Sequence, residues 1–442
     1  MTTLSVIQAR NRGIITGILG GAIGRSVSLL APFIVMPAML NQLGGHLFGV
    51  WMTALALTSM ALFVDFGIGN GLLTRLSTAY GKHDYEVMRR YIASAYVALG
   101  TIALVLLMFL AAVQAIMSMG WLAIAIPDTK TVSVIVVSLV TFVLGIPASV
   151  IQRVMYANQK AWLSHMWQIC GAALSVILTL LAINYALPAW QIIAAYSAPT
   201  VIILLVSTLV FFYNHEALRP HVGDISKESA VDLLKIGSRF LALSVVTSCA
   251  LNVDNVLISY QLGAAAVTEY AVPAKLASLL GLVISTIFLP LWAANGEALA
   301  RRDYAWVRRT TLKMSVIGGG VIALVSCLLI LLSSLIIDIW MGRSFKDQNM
   351  IILFFSILSF CMAITSPFNM VLNSIGLVRP QIKIWLAFMA LSFSLKFLLL
   401  KYGYAAFIIP AITAFSYMVT IMPFMIFTNL KIDFGSKIKK VF

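Results

Sequence analysis

Apolar residues run in long blocks along this chain, with short polar stretches between them. Most blocks are too long for a strand and too uniformly apolar for a helix with one wet face. Each is near or above the roughly 20 residues that a helix needs to cross a hydrocarbon core. Read together with the turn residues, the pattern predicts twelve spans, at 14–39, 50–80, 91–117, 132–157, 162–183, 190–212, 236–260, 268–299, 312–337, 351–374, 382–400 and 404–427. The expectation is an all-α polytopic membrane protein.

The cations between the blocks alternate. Arg10 and Arg12, "GKHDYEVMRR", "NQK", "RPHVGDISKESAVDLLK", "RRDYAWVRR", "LVRPQIK" and the tail "KIKK" fall on one side, and Lys130, Arg343, Lys346 and Lys401 on the other. Because cation-rich loops stay in the cytoplasm, both termini are expected there. The first apolar run lacks a small-residue cleavage site and is expected to be a retained helix. In the longest polar stretch, "SAVD" ahead of "LLKIG" forms a capping-box pattern that predicts a short amphipathic helix. The expected division is a six-helix lobe over 1–213, a cytoplasmic linker over 214–235 and a second six-helix lobe over 236–442.

Sliding the chain by 219 residues, the offset from Gln42 to Gln261, aligns Leu43 with Leu262, Gly44 with Gly263 and Leu57 with Leu276. The same offset aligns Asp84 and Tyr85 with Asp303 and Tyr304, and Arg89 and Arg90 with Arg308 and Arg309. An even number of spans separates the copies, so the lobes should be related by a pseudo-two-fold axis along the membrane normal, as in many transporters. Pro32, Pro37, Pro147, Pro273, Pro290 and Pro367 lie inside spans as candidate kinks.

Composition agrees: 61% of residues are hydrophobic, 10% charged, and mean hydropathy is +1.00. The formal charge of +15 is parcelled into short loops with no polar domain to carry it, which argues against nucleic acid as a partner. Cys170, Cys249, Cys327 and Cys361 lie within apolar spans at no metal-ligand spacing and are expected to pack; no metal or cofactor is indicated.

Charges inside the spans are the candidate chemistry: Arg25, Asp65, Arg75, Arg153, Asp254, Glu269, Lys275 and Lys396. Each costs about 2.5–3.5 kcal/mol near the bilayer centre and so needs a counter-ion or a wet cavity. Arg25 and Asp65 fall at similar depth about the first outer loop, and Asp254 and Lys275 about a later one, so both pairs are candidate ion pairs. Arg25 also shares a stripe with Gly17, Gly21, Ser28 and Pro32, which leaves room for a cavity, and its planar fork matches phosphate oxygens. Arg75 and Arg153 are expected to snorkel to the inner headgroups and Lys396 outward, with Glu269 near the outer interface.

At "LFVDFGIGNGLLTRLSTAYGKHD" and "NVDNVLISYQLGAAAVTEYAVPAKLASLL" the chain resembles O-antigen (Wzx-type) flippases of the multidrug/oligosaccharidyl-lipid/polysaccharide exporter superfamily. That resemblance implies a bacterial inner-membrane flippase moving undecaprenyl-diphosphate-linked oligosaccharide by alternating access through a cationic cavity, in support of lipopolysaccharide synthesis. It implies that Arg25 and Arg153 face the anionic headgroup; Lys275 and Arg75 are further candidates for binding the substrate. Asp65, Asp254 and Glu269 would serve as ion-pair or coupling carboxylates, for H+ or Na+. Membrane lipid and glycan polymerase machinery are the expected partners. The alternative is a cation-coupled multidrug exporter of the same superfamily, in which buried acids would carry the chemistry. No predicted outer loop exceeds about twenty residues, so a membrane polymerase or ligase, which needs a large outer loop, is not expected.

Overall fold

A computed structural model describes residues 3–60, 67–118, 128–262, 264–341 and 344–431, and every regular element among them is helical. In chain order the helices are α1 (Thr3–Met60), α2 (Ile68–Gly81), α3 (Tyr85–Ser118), α4 (Thr129–Ala148), α5 (Val150–Ala157), α6 (Ala161–Asn184), α7 (Ala189–Tyr213) and α8 (Lys227–Asn252). There follow α9 (Asp254–Leu262), α10 (Ala264–Ala277), α11 (Leu279–Ala300), α12 (Tyr304–Met341), α13 (Gln348–Ser374), α14 (Arg379–Lys401), α15 (Ile408–Val419) and α16 (Ile421–Lys431). Ten described stretches, from Tyr85–Ile116 to Ile408–Thr428, are long and apolar enough to cross a bilayer. They overlap the third to twelfth predicted spans, the seventh of which starts nine residues earlier than expected, at Lys227. The protein is a multi-span membrane protein.

The region of the first two predicted spans holds α1 and α2, with residues 61–66 outside the described ones. α1 is two helical arms meeting at Gly44, whose φ of 74° and ψ of 163° belong to a region open only to glycine. The proline kinks divide. α4 gives way to α5 two residues past Pro147, and α10 gives way to α11 past Pro273, whereas Pro290 and Pro367 lie within unbroken helices. Neighbouring side chains and local backbone adjustment let spanning helices carry proline without a break. The expected short linker helix is instead the first turns of α8, which runs on without interruption to Asn252.

The chain separates into two compact units, Met1–Ser238 and Arg239–Phe442. In the first, α6 packs against α1 and α7, and α4 against α7. Its core gathers Val35, Met39, Trp51, Val134, Ile192 and Ile193. In the second, α13 packs against α11, α12 and α15. Cys361 is buried, but Cys170, Cys249 and Cys327 are exposed, correcting the expectation that all four pack inside. Spanning helices present apolar faces to lipid, so an apolar residue need not be interior.

One turn recurs in both units. After α2 the Asp84 amide donates to the Ala79 carbonyl across His83, at φ 58°; after α11 the Asp303 amide donates to the Ala298 carbonyl across Arg302, at φ 62°. Asp84 and Asp303 then accept from the amides of Val87 and Trp306, opening α3 and α12. The same six-to-one bond follows α5 and α13, across Gln159 and Gly376, and follows α6 and α14, across Ala186 and Gly403. His83 and Arg302 keep the 219-residue offset; the later pairs stand 217 apart. The internal repeat is therefore legible in backbone hydrogen bonds as well as in letters.

Where the second unit has Gly403, the first has Ala186 at φ 49°. A left-handed alanine costs roughly 1–2 kcal/mol, partly offset by the freer unfolded chain of glycine. Ala186→Gly is therefore expected to stabilise the protein by about 0.5–1 kcal/mol. Thermal unfolding in detergent checks this, and a lowered midpoint would contradict it.

Candidate functional site

The most buried described charge, Lys396, lies in the second unit. Lys396 on α14 is fully buried, and its Nζ donates to Asp254 Oδ1 on α9 at 2.6 Å. Tyr270 on α10 donates its hydroxyl to Asp254 Oδ2 at 2.9 Å. Both carboxylate oxygens are thus engaged, within an apolar cluster that includes Leu257, Ile258, Ile351, Leu400 and Ile409. This corrects two expectations: Lys396 does not snorkel outward, and Asp254 pairs with it rather than with Lys275. The reason is helical phase. Lys396 lies on the buried stripe of α14 with Trp385, Phe388, Ser392 and Leu400, while Lys401, 140° away by helical geometry, is exposed. That stripe is the sequence signal that identifies Lys396.

A second cluster in the first unit joins α2, α3 and the start of α8. Arg75 makes a two-bond fork with Asp232, Nε to Oδ2 at 2.7 Å and Nη2 to Oδ1 at 2.8 Å. Tyr91 adds its hydroxyl to Oδ2 at 3.0 Å. Ser94 Oγ donates to the Ser226 carbonyl and accepts from its amide, each at 3.1 Å. Beside them α2 approaches α8 at Gly71, where a Cβ would stand 2.6 Å from Ile236 Cγ2. Arg75 is therefore not a snorkelling cation but a paired one. Asp232, in a segment that reads as an amphipathic linker, gives no sign of that partner in the sequence.

Nearby, Lys160 Nζ lies 2.6 Å from His215 Nε2, and His215 Nδ1 lies 2.8 Å from the Phe211 carbonyl. The carbonyl requires Nδ1 to donate, so Nε2 accepts from the lysine. Desolvation lowers the Lys160 pKa below its ordinary value.

The other predicted residues distribute as follows. Arg25 lies on α1, but its side chain is outside the described residues, as is Asp65 altogether. The glycines around Arg25 form a packing surface: a Cβ at Gly20 would meet Trp162 Cα at 3.2 Å, and one at Gly24 would meet His165 Cβ at 3.3 Å. His165 in turn lies 2.9 Å from the Tyr156 hydroxyl on α5, one turn beyond Arg153. The α1 backbone next to position 25 and the helix carrying Arg153 thus flank the same histidine. Arg153 is half-buried and has no ion-pair partner among the described residues. Lys275 is exposed on α10, and Glu269 accepts the Lys346 amide at 2.8 Å.

A family model described as polysaccharide biosynthesis protein matches residues 14–291. A Yersinia pseudotuberculosis protein named for O-antigen export is 21% identical over 363 residues, covering 80% of this chain and 82% of its own. A Salmonella typhi protein named as an O-antigen transporter is 22% identical over 288 residues, 64% of either chain. Among solved structures, a multidrug-resistance MATE transporter of the MOP superfamily in an outward-facing conformation superposes with a TM-score of 0.78 at 14% identity, covering 98% of this chain and 96% of that one. A MOP superfamily transporter from Pyrococcus furiosus, described as having a binding pocket of reverse polarity, superposes with a TM-score of 0.80 at 13% identity over 98% and 96%. At these identities the structural likeness establishes the fold.

Proposed function

This chain belongs to the polysaccharide biosynthesis protein family, and from that premise we propose that it flips undecaprenyl-diphosphate-linked oligosaccharide across the bacterial inner membrane by alternating access. It is a transport protein rather than an enzyme, in keeping with the names of its relatives. Twelve spans in two six-helix lobes, divided near 214–235 and with both termini in the cytoplasm, are part of the same proposal.

The observation that carries the reading is Arg153, a half-buried guanidinium on α5 with no carboxylate partner among the described residues. A cation held inside a membrane unit without a counter-ion suits an anion that arrives from outside the fold. Arg25, whose helix flanks the same His165, is proposed to grip the diphosphate with it. Asp65 and Glu269 are the proposed carboxylates for H+ or Na+ coupling. In the multidrug-exporter alternative buried acids would carry the chemistry, and one of the candidates, Asp254, is already closed by Lys396 and Tyr270.

Translocation of lipid-linked oligosaccharide in proteoliposomes tests this. Arg25→Ala is expected to lose more than tenfold of the rate, and Arg25→Lys to fall between, since it keeps charge but loses the planar fork. Full activity in both variants would remove Arg25 from the mechanism.

A further inference from the structure

Arg75 is counted above among the candidates for binding the substrate, yet its fork is already filled. Nε and Nη2 each hold one oxygen of Asp232, in the parallel arrangement that a phosphate would also adopt. The side chains are 19% and 29% exposed, so the pair is shielded but still reachable from water. Arg75 cannot offer that edge to a phosphoryl group without letting Asp232 go.

Letting it go loosens more than a side chain. Asp232 lies in the second turn of α8, and Tyr91, Ser94 and the close approach at Gly71 fasten the same stretch, from Ser226 to Ile236, onto α2 and α3. α8 then continues unbroken to Asn252, past Ser238, where the first compact unit ends.

Resting on the proposed function, we infer that Asp232 is an internal competitor for the substrate's phosphate oxygens at Arg75. It sets specificity by admitting only lipids whose headgroup can replace a carboxylate in the fork, and it links that replacement to release of the start of α8. A neutral polyprenol offers nothing in exchange and leaves the fork shut. The apparent affinity for a phosphorylated headgroup is reduced by the fraction of time that Asp232 occupies the site. A permanent staple between α2 and α8 would impose no such reduction.

The test measures binding of undecaprenyl diphosphate to the detergent-solubilised full chain, beside undecaprenol, together with hydrogen exchange over 227–238. Asp232→Asn removes the competing anion and is expected to tighten diphosphate binding about five- to tenfold, a modest coupling. Asp232→Glu keeps the anion and should stay near wild type. Tyr91→Phe, which removes one bond to the carboxylate and spares the fold, should tighten binding about two- to threefold. In the wild type, undecaprenyl diphosphate should speed exchange over 227–238 and undecaprenol should not. Unchanged or weaker binding by both Asp232→Asn and Tyr91→Phe, with the wild type still binding, would overturn this inference alone. A wild type that does not bind undecaprenyl diphosphate would overturn both this inference and the function on which it rests.

Discussion

Replacing Lys396 by methionine is expected to destabilise the protein by about 3–5 kcal/mol, the usual cost of removing one partner from a dry ion pair. Methionine fills most of the volume, so a cavity contributes little and the charge contributes most. Among the described residues Asp254 would keep only the Tyr270 hydroxyl, beside the apolar cluster of Leu257, Ile258 and Leu400, and the carboxylate is buried. Taking out the whole polar group should reverse much of the loss: Asp254→Leu, Tyr270→Phe and Lys396→Met together remove both charges and the hydroxyl bonded to them, and such replacements are often neutral or stabilising. Unfolding midpoints in a single detergent measure both variants. If Lys396→Met alone unfolds like the wild type, the pair is not a buried counter-ion pair.

The second large effect is steric. Three glycines stand together in α12, and the structure separates their fates. A Cβ at Gly318 would stand 2.2 Å from Phe288 Cζ and 2.9 Å from Cε1, and Phe288 is fully buried on α11. The ring has nowhere to recede, so Gly318→Val should cost about 2–3 kcal/mol, near the upper end of ordinary overpacking. Gly319 meets Ile364 Cγ1 at 3.3 Å and should tolerate alanine with a small shift. Gly320 meets nothing within 4 Å, and Gly320→Ala is expected to stabilise by about 0.5–1 kcal/mol through helix propensity. The same unfolding measurement ranks all three. Gly318→Val combined with Phe288→Leu should recover part of the loss, and no recovery would show that the clash is not with that ring.

How much of the site was legible can be judged residue by residue. Arg75 was visible as a membrane cation but not as half of a fork, because its partner stands 157 residues away in a stretch that reads as linker. Depth along a hairpin pairs Asp254 with Lys275, the next cation along the chain, yet the bond is to Lys396, 142 residues distant. Counting residues locates a charge along the membrane normal. It says nothing of the angle around the helix at which the charge emerges, and that angle selects the partner. The stripe through Trp385, Phe388, Ser392 and Lys396 held that information, but an isolated lysine near a second one at Lys401 is more easily read as an anchor.

What the sequence determined by itself is whatever depends on local composition and short spacing. The apolar blocks are set by bilayer thickness, the cation asymmetry by retention of positive loops, and the repeat by matched residues at one offset, echoed in the six-to-one turns around His83 and Arg302. Tertiary structure alone decided which charges meet. It seated Lys396 on Asp254, closed the fork of Arg75 with Asp232 and ran the expected short linker helix on into α8. The reason is physical: a charge in a low-dielectric interior goes to whichever counter-ion the packing of distant helices brings within about 3 Å, and no pattern in sequence encodes that distance.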